Sequence, residues 1–338
     1  MQKGIFILSL FLALVGTESV RAQYRFSKST RRTNKSLFEP YSSVSFGVGT
    51  ANYYGELSPY HDPINSTFYL MRWNVGGSYT RHFTPRLSGR ASLALARLSG
   101  DDYTFSKNKP EYYYNYIRNL HFRNDIKELS FTGLYNLIPE GRNFKNRPQI
   151  MPYVFAGIAV VAHNPKARTP VDMGNDWVSL QPLGTEGQGR PGYAKPYSRI
   201  TAAIPFGLGI KYKVNQRWDV SIEAGIRFTF TDYIDDVGGS MADPNDLIDN
   251  PTALAMSNRS LEATAARKGG DRTATVRQYL IDNFGYPNDP NLNPFSTAIP
   301  GYSAKGDARG GGSNDVYVLT AFHVHYTLLP KIKCPPTR

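Results

Sequence analysis

Over residues 218–230 the chain reads WDVSIEAGIRFTF: Trp218, Val220, Ile222, Ala224, Ile226, Phe228 and Phe230 are apolar, and Asp219, Ser221, Glu223, Gly225, Arg227 and Thr229 fall between them. A repeat of two is the period of a β-strand, whose successive side chains point to opposite faces. Three ionisable groups on one face, with aromatics at both ends of the other, describe a strand with lipid outside and a polar lumen inside. Further segments alternate in the same way at 43–53, 69–83, 87–98, 128–137, 152–163, 203–214 and 315–328. Over 69–83, Tyr69, Met71, Trp73, Val75 and Tyr79 oppose Arg72, Asn74, Ser78, Thr80 and His82. Over the last segment, Val316, Val318, Phe322, Val324 and Tyr326 oppose Tyr317, His323, His325 and Thr327.

The connections alternate too. Residues 84–86, 215–217 and a Gly- and Pro-containing stretch at 139–149 join strands briefly, whereas 231–314 is far longer than a loop of a compact soluble domain. Eight strands are the fewest that close a membrane barrel. The expected fold is therefore all-β: an eight-stranded antiparallel transmembrane β-barrel over 41–330, with short periplasmic turns, long extracellular loops and both chain ends in the periplasm. A soluble eight-stranded barrel around a ligand would turn the apolar face inward. Gly47, Gly49, Gly76, Gly207, Gly209 and Gly225 lie on the non-apolar face, where they suit a crowded narrow interior, and the loop asymmetry has no counterpart in the soluble fold.

Lys3, the apolar run 5–15 and the small-residue site Val20-Arg21-Ala22 read as a signal peptide over 1–22. No second long apolar run follows, which excludes a helical membrane protein. Aromatic content of 13%, with 23 Tyr, suits girdles at the two lipid boundaries. The single Cys334 leaves no internal disulfide and no cysteine cage for zinc. The net charge of +12 falls to +11 once Lys3, Arg21 and Glu18 leave with the signal. Part of that excess is concentrated in a basic arm within 23–40, where Arg25, Lys28, Arg31, Arg32 and Lys35 occur before any acid, and in the tail 331–338, with Lys331, Lys333 and Arg338. Anionic partners at an outer membrane are lipopolysaccharide phosphates and acidic protein surfaces; nucleic acid is not expected to meet an exported barrel.

The inward positions carry Arg72, Arg90, Glu128, Lys211, Lys213, Asp219, Glu223, Arg227, His323 and His325. In a barrel this narrow they are expected to pair as a luminal charge network that fills the interior, an unpaired charge there being costly; a narrow proton or ion path is the alternative. A lipid-modifying enzyme would need a serine with a histidine base facing the outer leaflet. His323 and His325 point inward without a serine on their own strand, and His163 has no obvious partner, so no catalytic residue, metal or cofactor is expected. Asp232, Asp235 and Asp236, with Gly238 and Gly239 after them, suit a loop anchor built on turn chemistry better than a calcium loop. Short helices are expected at 261–268, with Ser260 as cap and Gly269 at its end, and at 275–284.

Three motifs carry a resemblance. Asn52-Tyr53-Tyr54-Gly55-Glu56-Leu57 after the first strand, RNLHFRNDI at 118–126 before the fourth and RFTFTDYIDD at 227–236 on the seventh resemble the PorG-like family of outer-membrane proteins, found in bacteria that use type IX secretion. The resemblance runs from about Tyr41 to the C-terminus and is weakest over 231–314. It implies a non-enzymatic barrel that scaffolds or anchors a periplasmic ring of PorK-like lipoprotein and PorN-like protein, or a paralogue acting as a structural or surface-interaction barrel. On topology and charge, the docking elements would be Arg25, Lys28, Arg31, Arg32, Lys35, Lys331 and Lys333.

Overall fold

The computed structural model describes residues 38–58, 63–107, 109–296 and 298–328. The signal segment, the arm residues Arg25, Lys28, Arg31, Arg32 and Lys35, and the tail residues Lys331, Lys333, Cys334 and Arg338 lie outside the described residues.

The strands are β1 (Tyr41–Tyr54), β2 (Arg72–His82), β3 (Leu87–Asp101), β4 (His121–Asn136), β5 (Ile150–Ala162), β6 (Pro165–Arg168), β7 (Trp177–Ser179), β8 (Ile200–Lys213), β9 (Trp218–Thr229) and β10 (Val316–Leu328). Eight of them form the wall, in the order β1, β2, β3, β4, β5, β8, β9, β10, each antiparallel to the next. β10 then pairs with β1, from Ser42↔Leu328 to Tyr54↔Val316, and the sheet closes. Closure removes the free edges of the wall, so its backbone groups pair within the ring except where the β5–β8 ladder skips Gly157 and Ile158 opposite Ile204 and Pro205, and such pairing is the condition for crossing lipid. β6 and β7 lie outside the ring: β6 continues along β4 above β5, with Arg123 opposite Lys166, and β7 pairs with β6.

The faces follow the alternation. Phe46, Leu93, Ile158, Leu208 and Ile222 point outward and are 58–67% exposed, while Arg90, Glu128, Lys211, Glu223 and Arg227 are buried in the lumen. A soluble barrel would invert this arrangement; an apolar belt around a charged interior is a lipid-facing wall. Aromatics border the belt: Tyr79, Tyr135, Tyr212 and the pair Trp218 and Tyr326, 4.9 Å apart, on the short-turn side, and Trp73, Phe228 and Phe230 on the other. Ile222→Arg should therefore cost the folded barrel about 2–4 kcal/mol near the membrane midplane. Urea unfolding in liposomes measures it, and an unchanged midpoint would mean that Ile222 does not face lipid.

Inside, large side chains need bare backbone opposite them. Phe155 presses on the β8 and β9 backbones, and a Cβ on Gly207 or Gly225 would fall 2.5 or 2.6 Å from its ring. The tight turns are closed by short side chains: Thr84 Oγ1 accepts from the Leu87 amide at 2.9 Å, and Asn215 Oδ1 from those of Arg217 and Trp218 at 2.8 and 2.9 Å.

Some expected boundaries move. β4 begins at His121, so the 118–126 motif lies mostly within the strand and not before it. Up there the wall has risen above the lipid, Arg123 and Asp125 face outward, and the apolar alternation that marks a lipid-facing strand is lost. Tyr69 belongs to the helix Pro63–Leu70, and β2 starts at Arg72. The helix Thr273–Phe284 forms, but 261–268 does not become one. Its backbone is taken by tertiary partners: Asn119 accepts from the Ala266 amide and donates to the Thr264 carbonyl, and Ser260 bonds Asn258 in place of capping a helix. The helix Pro251–Ser257 is additional, with Asn250 Oδ1 accepting from the Ala253 amide at 3.1 Å and proline at its first position.

Candidate functional site

The wall sets the lumen's width, and the lumen's side chains fill it. At mid-height Arg90 forks onto Glu223, at 2.6 and 3.1 Å, and the Tyr153 hydroxyl donates to the same carboxylate at 2.8 Å. Nearer the long loops Arg227 Nε donates to Glu128 at 3.3 Å and the Tyr317 hydroxyl does so at 2.7 Å. These charges are under 10% exposed and each is paired, the condition on which buried charge is tolerated. Between the pairs remains a cavity of about 50 Å³ lined by Asn74, Ser78, Ser130, Thr132 and His323 among others, room for a few waters and not for a substrate.

Not every inward charge joins a pair. Arg72 sits at the outer end and donates to the Met71 carbonyl and Ser99 hydroxyl, not to an acid. Lys213 lies at the opposite rim, where its ammonium donates to the carbonyls of Lys145 and Arg147. Lys211 lies 5.8 Å over the Tyr153 ring. His325 Nε2 bonds Ser221 Oγ at 2.8 Å, a serine on the neighbouring strand that inspection of β10 alone misses. His323 Nδ1 has no hydrogen-bond partner among the described residues, and the ring packs on Gly47.

The short-turn end is closed by a device that its turn-rich sequence does not reveal. The connection between β4 and β5 folds over the lumen, burying Phe144 and sending in Glu140 and Arg147. Arg147 pairs with Asp219 at 3.0 Å and donates to Thr327 Oγ1 at 2.7 Å; Glu140 accepts from the Tyr41 hydroxyl at 2.6 Å and lies 3.5 Å from His82. His82 also reaches Ser43, at 3.2 Å, and Ser88, at 2.9 Å. The order Ser43, His82, Glu140 has the residue types of a nucleophile, base and orienting acid. Ser43, however, is 3% exposed, and Tyr41 stacks on the imidazole at 4.1 Å, which leaves no place for a substrate beside the hydroxyl.

The other end is covered by a packed cap made from the long loops. Tyr103, Tyr116, Ile117, Val276, Leu280 and Tyr302 form one apolar cluster of this cap, and Leu57, Leu120, Ile234 and Val237 join the barrel's own upper core. Buried arginines tie loop backbones together. Arg118 grips Asp102 and donates to the carbonyls of Arg309 and Glu56; Arg272 donates to those of Tyr116 and Ile117; Arg309 donates to the Asp236 carbonyl at 2.6 Å and to Glu186 at 3.1 Å.

The aspartates of 232–236 are part of this cap. Asp236 accepts from Thr185 at 2.6 Å and from the Tyr197 hydroxyl at 2.7 Å. The Tyr53 hydroxyl lies 2.8 Å from Asp235 and 2.5 Å from Asp315. One hydroxyl has one proton, so one of those carboxyls holds its own. Burial pushes Asp235 and Asp315 well above the usual carboxylate range, each raised further by neighbouring carboxylates that include Glu56. It raises Asp236 to about 6 despite Arg309 at 3.6 Å, and Asp232 to about 7, with Glu56 and Glu186 adding repulsion. Glu56, Asp232 and Asp315 bring carboxylate oxygens within 4.8 Å of one another, the donor type of a hard cation.

A closed, eight-stranded antiparallel barrel with a lipid-facing exterior, a filled lumen and a cap of long loops is the architecture of small outer-membrane barrels. No protein-family model matches the chain, and no curated protein matches it. Among solved structures it is similar to Neisserial surface protein A, at 7% identity and TM-score 0.36 over 85% of this chain and 98% of that one. It is also similar to the N-terminal barrel domain of Pseudomonas aeruginosa OprF, at 9% and 0.32 over 86% and 100%, and to Ail of Yersinia pestis, at 9% and 0.31 over 86% and 100%. The strand pairing, not these likenesses, defines the class.

Proposed function

We propose that the protein is a non-enzymatic outer-membrane barrel that acts as an anchor or scaffold of the type IX secretion machinery, holding the periplasmic ring of PorK-like and PorN-like proteins at the membrane. The observation that carries this reading is a lumen filled by paired charges and covered at both ends, by the loop cap and by Glu140, Phe144 and Arg147. A filled interior of this kind supports a role carried by the barrel's surfaces. β1 begins and β10 ends on the short-turn side, beside the turns at 83–86 and 214–217, so this end carries both chain continuations. The three PorG-like motifs supply the partner class, and the basic arm and tail supply charge for an acidic ring surface.

The test is a gentle-detergent pull-down of the tagged protein from its own cells, with a secretion assay alongside. Ring proteins should co-purify, and replacing Arg25, Lys28, Arg31, Arg32 and Lys35 together by Gln should lower both ring recovery and secretion while the barrel assembles normally; single exposed charges are too weak to show it. Normal secretion after complete deletion would refute the role. That outcome would favour the second reading, a PorG-like paralogue acting at the cell surface, for which the ordered cap is the specific support.

A further inference from the structure

Above the apolar belt, one side of the barrel exterior turns basic. Going toward the cap, Leu93 and Leu95 of β3 are followed by Arg97, and Phe131 and Leu129 of β4 by Lys127, Asp125 and Arg123. β6 continues this face with Lys166 opposite Arg123 and Arg168 two residues on, while Asn124 and Ala167 turn inward. Two indoles stand among the cations. Trp177 of β7 has the Arg123 guanidinium 4.2 Å and that of Arg168 5.5 Å from its ring centre, and Trp73 has Arg97 at 5.6 Å.

The acid within this ladder is already engaged: Asp125 holds Arg97 at 2.6 and 3.0 Å. Among the described residues Arg123, Lys127, Lys166 and Arg168 make no salt bridge, and Arg123 Nε, though buried, has no acceptor. Asp172 and Asp176 lie at the tip of the β6–β7 hairpin, farther from the belt. At a rise of roughly 3.3 Å per residue, Lys127 stands about 7 Å past Leu129 along the strand and Arg123 about 20 Å past it. Like charges held this close call for an anion that bridges them. The ladder is deeper than a phospholipid headgroup layer of roughly 5–8 Å.

We propose that this ladder binds the phosphates of a phosphorylated glycolipid of the outer leaflet, with Lys127 and Arg97 lowest, next to the acyl chains, and Arg123, Lys166 and Arg168 reaching its sugar-borne anions. This rests on the outer-membrane placement proposed above and is independent of the secretion role. Guanidinium groups fork onto phosphate oxygens, and such charge-assisted bonds strengthen beside low-dielectric lipid.

The detergent-solubilised full-length protein should retain bisphosphorylated lipid A in native mass spectrometry and retain dephosphorylated lipid A far less. Arg123→Gln, Lys127→Gln, Lys166→Gln and Arg168→Gln together should weaken retention of the bisphosphorylated lipid roughly tenfold or more. A control with the same charge change elsewhere on the exposed surface, Arg142→Gln, Lys195→Gln, Arg217→Gln and Lys305→Gln, should retain it fully. Equal retention by the ladder variant and the parent would overturn the proposal, as would equal binding of the dephosphorylated lipid. Displacement of the lipid by millimolar inorganic phosphate would make the ladder a small-anion site and refute the glycolipid assignment. If the fourfold variant does not fold, the two lipids compared on the parent and on Lys127→Gln decide the matter.

Discussion

Arg90→Met should destabilise the barrel by about 3–5 kcal/mol, because it leaves the Glu223 carboxylate buried in the lumen with only the Tyr153 hydroxyl to stabilise it. Glu223→Met should cost a similar amount by stranding the guanidinium. The double variant should recover much of the loss, since an apolar pair of comparable volume has no charge to leave unsolvated, and the expected coupling of a few kcal/mol has the sign of a pair that matters only when half of it is removed. Urea unfolding in liposomes, followed by heat-modifiable gel migration, reads all three. Additive losses would show that the two side chains do not act together and that water reaches each independently. An increase in ion conductance for the double variant would show the pair to be a barrier as well as a strut.

The wall was legible in the sequence because lipid imposes one rule at every outward position. Trp218 to Phe228 alternate without exception, and their inward neighbours turn out buried in the lumen. Partners inside the lumen were much less legible. Arg90 and Glu223 are 133 positions apart on β3 and β9, which are not neighbours, so their meeting depends on tilt and register around the whole ring. Glu140 and Arg147 were invisible for a related reason: a short connection rich in turn residues reads as solvent-exposed, and nothing local says that its charges fold back into the barrel. In the cap, the helix Thr273–Phe284 could be read from its own apolar spacing. The segment 261–268 could not, because Asn119, more than 140 positions away, takes its backbone. Arginines bonded to carbonyls of distant loops leave no periodic trace.

Arg309→Ala should open the cap and leave the barrel standing. The guanidinium, 2% exposed, donates to the carbonyls of Asp236 and Ser257 and to Glu186, and it lies beside the Asp236 carboxylate, so its removal strands two acids and frees two loop carbonyls at once. A local loss of about 3–5 kcal/mol is expected. It should appear as protease cleavage within 231–314 on intact cells, with heat-modifiable migration of the barrel unchanged; collapse of both would mean that the cap and the ring fold as one unit. The same cluster sets the pH dependence. Asp232 and Asp236 carry folded values raised to about 7 and about 6, and Asp235 and Asp315 are raised well beyond the unfolded carboxyl value near 4. These four carboxyls thus hold more protons in the folded cap than in the unfolded loop between those limits, and their contribution to its stability is full below about pH 4 and declines as pH rises through about 6 to 7. Protease resistance of the parent cap should accordingly be greater at pH 5 than at pH 8. Asp232→Asn, which removes the charge that Glu56 and Glu186 repel, should flatten that difference; a cap that grows more resistant with rising pH would mean that these carboxyls are ionised and neutralised by a counter-ion in the folded protein.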